Sequence, residues 1–193
     1  MAASPSLAEA LHALLPQTQC TRCGYDGCRP YAEAIAGGAA DINRCPPGGE
    51  TTLQRLATLT GLPVRPIDPE CGTAGPPMVA VIDAARCIGC ARCLPPCPVD
   101  AIVGAQRQLH VVLDDLCTGC ELCIAPCPVD CITLAPRTAQ APFSTEPAPG
   151  DNLRRYEAHR ARRGRREADR LALLAERKAR AARLSTRRDG GAP

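Results

Sequence analysis

Apolar positions recur at helical spacing in short stretches between residues 7 and 62, as in YAEAIAGGA over 31–39 and TTLQRLATLTG over 51–61; Gly61-Leu62-Pro63 closes the second. The runs VAVI at 79–82 and HVVL at 110–113 suit strands, whereas PVDAI and PVDCI, each opening on a proline, suit one-turn helices. Between these patterns lie a stretch with five prolines and two glycines, residues 63–77, and a Pro- and Thr-rich stretch after 136 without periodicity. The chain then becomes Arg- and Ala-rich, with high helix propensity and no large apolar face. The pattern predicts an α+β chain: a small helical domain over 1–62, a linker over 63–77, a βαβ-type repeat over 78–136, a linker over 137–152 and an Arg-rich helical tail over 153–188.

Composition changes what should hold these elements together. With one Phe, no Trp, three Tyr, 20 Pro and 16 Gly in 193 residues, large apolar burial is scarce, and 14 Cys must act as disulfides or as metal ligands. The first residues, MAASPSLAEALHALLPQTQC, have no secretory pattern. The longest apolar run, MVAVI at 78–82, falls far below the roughly 18–20 residues of a membrane span. A soluble, cytoplasmic protein is therefore expected, where reducing conditions favour metal binding by C-x2-C clusters.

The cysteines repeat. Residues 87–100, CIGCARCLPPCPVD, return at 117–130 as CTGCELCIAPCPVD, each with the spacing C-x2-C-x2-C-x3-C-P. Three thiolates two residues apart wrap one face of an iron-sulfur cube, and in two-cluster ferredoxins the fourth ligates the other cube. This assigns Cys87, Cys90, Cys93 and Cys127 to one 4Fe-4S cluster and Cys117, Cys120, Cys123 and Cys97 to a second, in a bacterial-ferredoxin-like unit. Ile88, Ile102, Ile124 and Ile132 would keep water from the clusters. Four earlier cysteines, Cys20, Cys23, Cys28 and Cys45, read as the ligands of a third 4Fe-4S cluster, with Gly24 and Gly27 letting the loop bend; a zinc site remains an alternative for this less specific spacing.

The stretches LPQTQCTRCGYDGCRPYAEAIAGG, INRCPPGGE and RCIGCARCLPPCPVDAIVGAQRQLHVVLDDLCTGCELCIAPCPVDCITL together resemble the B-type subunit of the Rnf/Rsx membrane-associated electron-transport complex, over roughly residues 7–136. The resemblance implies an iron-sulfur subunit that passes electrons between a soluble ferredoxin or a flavin-bearing, NADH-linked subunit and membrane-embedded flavoproteins. It carries the ligand role onto the same twelve cysteines. The family usually has a hydrophobic transmembrane helix just ahead of the segment matching LAEALHALLPQTQC, and no such helix stands there in this sequence; a shortened chain and a relative that docks without an anchor both fit.

Residues 1–150 carry 9 Lys and Arg against 14 Asp and Glu, a net of −5, while residues 151–193 carry 14 against 6, a net of +8. The tail reads as a solvated helix or as a docking segment for an anionic membrane surface or an acidic partner, with Leu171, Leu174, Ala175 and Lys178 as a weak amphipathic face. Nucleic acid is disfavoured, since Tyr156 is the segment's one aromatic. Cys71 reads as a free thiol, Cys131 as a small buried neighbour of a cluster, and His12, His110 and His159 as surface or packing residues. No nucleophile, phosphate-loop or dinucleotide motif is present, so an electron carrier without a substrate-transforming site is expected. The alternatives are a free-standing soluble polyferredoxin serving another reductase and a zinc-stabilised nucleic-acid-binding protein.

Overall fold

A computed structural model describes residues 5–137 and 146–189, with side chains as far as residue 181. Residues 138–145 of the expected linker lie outside the described residues. The chain divides into two compact units, Met1–Tyr156 and Glu157–Pro193.

The first unit opens with three helices: α1 (Leu7–Leu14), α2 (Cys28–Ala36) and α3 (Gly49–Thr60). Ser6 caps α1 reciprocally with Glu9: the Glu9 N–H donates to the Ser6 hydroxyl at 3.3 Å, and the Ser6 N–H donates to the Glu9 carboxylate at 2.9 Å. Helix α3 ends where the sequence predicts, on Gly61, whose left-handed φ of 72° lets its N–H reach the Ala57 carbonyl. Leu53 and Leu56, three residues apart on one face of α3, are buried with Leu11, Leu15, Tyr31 and Ile35. The stretch 63–77 is not all open linker: a 3-10 turn, Pro69–Cys71, buries Cys71, and Asp68 pairs with Arg44 at 2.7 Å.

Residues 78–136 form two antiparallel pairs, β1 (Met78–Ile82) with β4 (Ile132–Pro136), and β2 (Ile102–Val103) with β3 (Val111–Val112). The expected strands are present as β1 and β3, but the expected βαβ crossover is not. The first PVD run forms a turn and leads into β2, and the second leads likewise into β4, with no helix in either place. Asp100 and Asp130 explain this, because their φ values of 50° and 47° are left-handed and stop a right-handed turn from propagating. The repeat is therefore symmetric in backbone as well as sequence, with Ala91 and Glu121 also sharing positive φ, 60° and 67°.

Helix α4 (Pro149–Asp189) begins four residues before the expected 153. Its first turn belongs to the first unit, where buried Asn152 donates through Nδ2 to the carbonyl oxygens of Pro16 and Pro147, both at 3.3 Å. In the second unit α4 carries an Arg170–Glu167 pair at 2.6 Å. Leu171, Leu173 and Leu174 are all exposed there; Leu171 and Leu174, three residues apart, share one side of the helix with the spacing expected of the weak amphipathic face, and Leu173 points away from it. Among the described residues no helix is long and apolar enough to cross a membrane.

Candidate metal centres

The loop between α1 and α2 is built around its cysteines. Gln17, Gln19 and Thr21 alternate in left-handed conformations, φ 57°, 55° and 61°, each costing roughly 1–2 kcal/mol. A buried amide relay holds the first two: Gln17 Nε2 donates to the His12 carbonyl at 2.5 Å, Gln19 Nε2 to Gln17 Oε1 at 2.8 Å, and the Cys28 N–H to Gln19 Oε1 at 2.9 Å. Gly27 leaves room for this relay, since a Cβ there would stand 2.6 Å from Gln19 Oε1. Sequence reasoning missed the two glutamines; QTQC gives only a weak signal, polar residues ahead of a cysteine.

This loop brings Cys20, Cys23 and Cys28, and the stretch just before the Pro46–Gly48 turn brings Cys45, onto the wall of one pocket, together with Tyr31 and Arg44. Burial pushes the Cys28 thiol up to about 12 and also raises Cys23 and Cys45. Arg44 crosses the back of the site, donating from Nε to the Cys23 carbonyl at 3.2 Å.

A second pocket is lined by Cys87, Cys90, Cys93 and Cys127, the last arriving from the opposite repeat. In the mirrored position Cys97 joins Cys117, Cys120 and Cys123: burial first, then the neighbouring Cys120, Cys117 and Cys97 sulfurs, push the Cys123 thiol up to about 12. All fourteen cysteines are free of disulfides. Among the described residues no three His, Cys, Asp or Glu side chains converge so as to hold a single metal ion. The thiols instead line spaces.

Backbone N–H groups are aimed at these sulfurs. The Ala101 N–H donates to Cys97 Sγ at 3.2 Å, the Cys131 N–H to Cys127 Sγ at 3.5 Å and the Ala80 N–H to Cys117 Sγ at 3.5 Å. At Cys127 burial pushes the thiol up, but the backbone of Cys131 and Val129, then the Cys131 side chain and the backbone of Asp130, together outweigh it and hold the thiol below the usual value. Gly89 and Gly119, the third residues of the two repeats, have φ 67° and 65°; a Cβ would come within 2.7 Å of the Gln108 nitrogen and 2.5 Å of the Met78 carbonyl oxygen, respectively. Ile102 and Ile132 are buried as expected, whereas Ile88 lines the cavity with 59% of its surface exposed. The three expected surface or packing histidines are all buried, and His110 also lines the second cavity. Its equivalence to Ala80 across the thirty-residue repeat was the sequence signal available.

The donor sets fit iron-sulfur clusters: groups of four thiols, walls of small apolar residues, and N–H groups directed at sulfur. Residues 80–134 match the family model of a 4Fe-4S dicluster domain, and residues 15–47 match that of an Fe-S cluster. The chain is similar to proteins named as the B-type subunit of an ion-translocating oxidoreductase complex. Identity is 58% over 109 residues with that of Thiobacillus denitrificans, covering 56% of this chain and 58% of the relative. It is 61% over 107 residues with that of Stutzerimonas stutzeri, covering 55% of each. With that of Azoarcus sp. it is 60% over 110 residues, covering 57% of this chain and 60% of the relative. The matched region thus spans little more than half the length of these relatives, and their names agree with the resemblance read from the motifs.

Proposed function

We propose that this chain, so similar in its cysteine-bearing region to the B-type subunit of an ion-translocating oxidoreductase complex, is an iron-sulfur electron-transfer subunit of such a complex. Cys20, Cys23, Cys28 and Cys45 hold one 4Fe-4S cluster; Cys87, Cys90, Cys93 and Cys127 a second; Cys117, Cys120, Cys123 and Cys97 a third. The carrying observation is the cavity lined by Cys87, Cys90, Cys93 and Cys127, because a proline-linked fourth cysteine from the other repeat is what crossed ligation requires. Such clusters supply one-electron uptake and release without transfer of atoms.

The protein's own groups do the rest. The thiols must lose their protons to ligate iron, and burial makes that step dependent on the metal itself. Ile102, Ile132 and Val99 exclude water, and the N–H groups of Ala80, Ala101 and Cys131 stabilise charge on sulfur. The partners are the complex's other redox subunits or a soluble ferredoxin or flavoprotein. The location is the cytoplasm or the cytoplasmic face of the inner membrane, with the net +8 segment 151–193 available for an anionic surface.

Anaerobically purified protein should be brown, absorb broadly near about 400 nm and contain about twelve irons per chain. Colourless protein with stoichiometric zinc overturns the reading.

A further inference from the structure

The thirty-residue repeat makes the two sites of residues 78–136 near-copies, so the places where the copies differ carry information. Two buried positions next to ligand sulfurs differ. Ala80, beside Cys117, becomes His110 beside Cys87; Ala101, beside Cys97, becomes Cys131 beside Cys127. All four are buried, with exposures of 3%, 2%, 1% and 4% in that order. Both hydrogen-bonding side chains therefore stand at the site of Cys87, Cys90, Cys93 and Cys127, and both alanines at the other.

The contacts are direct. His110 Nδ1 lies 3.7 Å from Cys87 Sγ, and Cys131 Sγ lies 3.5 Å from Cys127 Sγ. A cysteine that ligates iron has no hydrogen to give, so in the loaded protein the imidazole N–H and the Cys131 S–H are the only groups of each pair able to donate. The His110 Nε2 atom is buried without a partner, so the ring is held here for reasons other than that nitrogen's own hydrogen bonding. The fold makes room for the ring: Gly104, φ +153°, packs on it, and a Cβ there would stand 2.5 Å from His110 Cδ2. In the β1–β4 pair the sizes are exchanged, small Ala80 facing large Leu134. The second site has one side-chain hydroxyl nearby, Thr118, whose single proton is shared: it lies 3.2 Å from the Thr18 carbonyl and also hydrogen-bonds Cys120, so that site has one side-chain donor against two at the site of Cys87.

We propose that the site of Cys87, Cys90, Cys93 and Cys127 has the higher reduction potential of the two, because His110 and Cys131 donate hydrogen bonds to its ligand sulfurs. A donor stabilises the extra negative charge of the reduced state more than it stabilises the oxidised state, which raises the potential. One electron shared between the sites thus rests on the side of His110. It moves there from the Cys117 side with no bond made or broken and no proton transferred, and a low-potential one-electron donor supplies it. The inference rests on the cluster reading above.

The test is a redox titration of the full chain with dithionite, followed by electron paramagnetic resonance, with iron and sulfide counted first. Relative to the unaltered chain, His110→Leu with Cys131→Ala should lower only the higher midpoint of the pair. The electron-sharing constant should change about tenfold, which is about 59 mV for one electron. Cys131→Ser, which keeps a donor, should retain most of its share of the shift, and Ala101→Cys should raise the lower midpoint. If the double variant loses a cluster, these last two carry the same comparison. Full iron content with unmoved midpoints, or movement of the lower midpoint in the double variant, overturns this inference alone. A chain that takes up no iron overturns the cluster reading and this inference with it.

Discussion

The buried residues of the helical region and those of the repeat differ in kind. Around Cys23, Cys28 and Cys45 the helices pack Leu11, Leu15, Tyr31, Ile35, Leu53 and Leu56, large side chains each worth about 1.5–3 kcal/mol when buried. In residues 78–136 six of the eleven buried core residues are cysteines, and the others are Ala80, Val99, Ala101, Ile102 and Ile132. Its strands are as short as two residues, and a two-stranded pair is marginal in water. One region can fold largely by apolar burial and then present thiols, while the other must be drawn together through its thiols. Similar cysteine chemistry can therefore sit on very different folding thermodynamics within one chain.

The largest test of that contrast is removal of metal. Stripping iron with a chelator under reducing conditions should abolish amide-exchange protection throughout residues 78–136. That would forfeit most of the roughly 5–15 kcal/mol that stabilises a small domain. Protection in α1 and α3 should partly survive. Equal loss in both regions would erase the distinction.

In the same metal-free protein, acidity gives a signed check. The Cys28 thiol, raised by burial from 9.0 to about 12, contributes stability that is present below 9.0 and is lost as pH rises toward 12. Helix content from α1–α3, followed by circular dichroism, should hold below pH 9 and fall above it.

Leu56→Ala should then cost the helical region about 2–5 kcal/mol, read as a lower unfolding midpoint, without shifting the visible spectrum of the 78–136 sites. Gly119→Ala should act the other way round. Its left-handed φ and the close Met78 oxygen should cost about 1–3 kcal/mol and loosen iron retention in the repeat, leaving the helices intact. The smallest effect belongs to the Arg22–Glu121 ion pair, which joins the two regions with both side chains about a third exposed. Arg22→Ala should cost at most about 1 kcal/mol and less in high salt, and a double-mutant cycle with Glu121→Gln would measure the coupling.

Much of this organisation was legible. Spacing alone grouped the cysteines that line the two cavities, and helical periodicity with Gly61 marked α3 and its end. The PVDAI and PVDCI segments were misread because a proline opens a turn as readily as a helix, and the deciding feature, a left-handed aspartate, has no sequence signature strong enough to see. Strand β2 is too short to show alternation. Gln17 and Gln19 were invisible because a buried polar residue is recognised by its partner, here the His12 carbonyl and the Cys28 N–H, and partners are a property of the fold. His110 escaped for the same reason.

The pairing of β1 with β4 joins Met78 to Pro136, the first strand of the repeat region to its last. On the ribosome this makes biogenesis strictly sequential. All four cysteines of the helical site are synthesised by residue 45, but β1 has no partner until residue 136 has emerged. At about 5–20 residues per second the wait between these strands lasts roughly 3–11 s, during which Cys87 through Cys127 lack the strand pairing that closes the repeat. On the ligand assignment proposed above, iron and sulfide must reach the repeat late and together, after residue 136 has emerged.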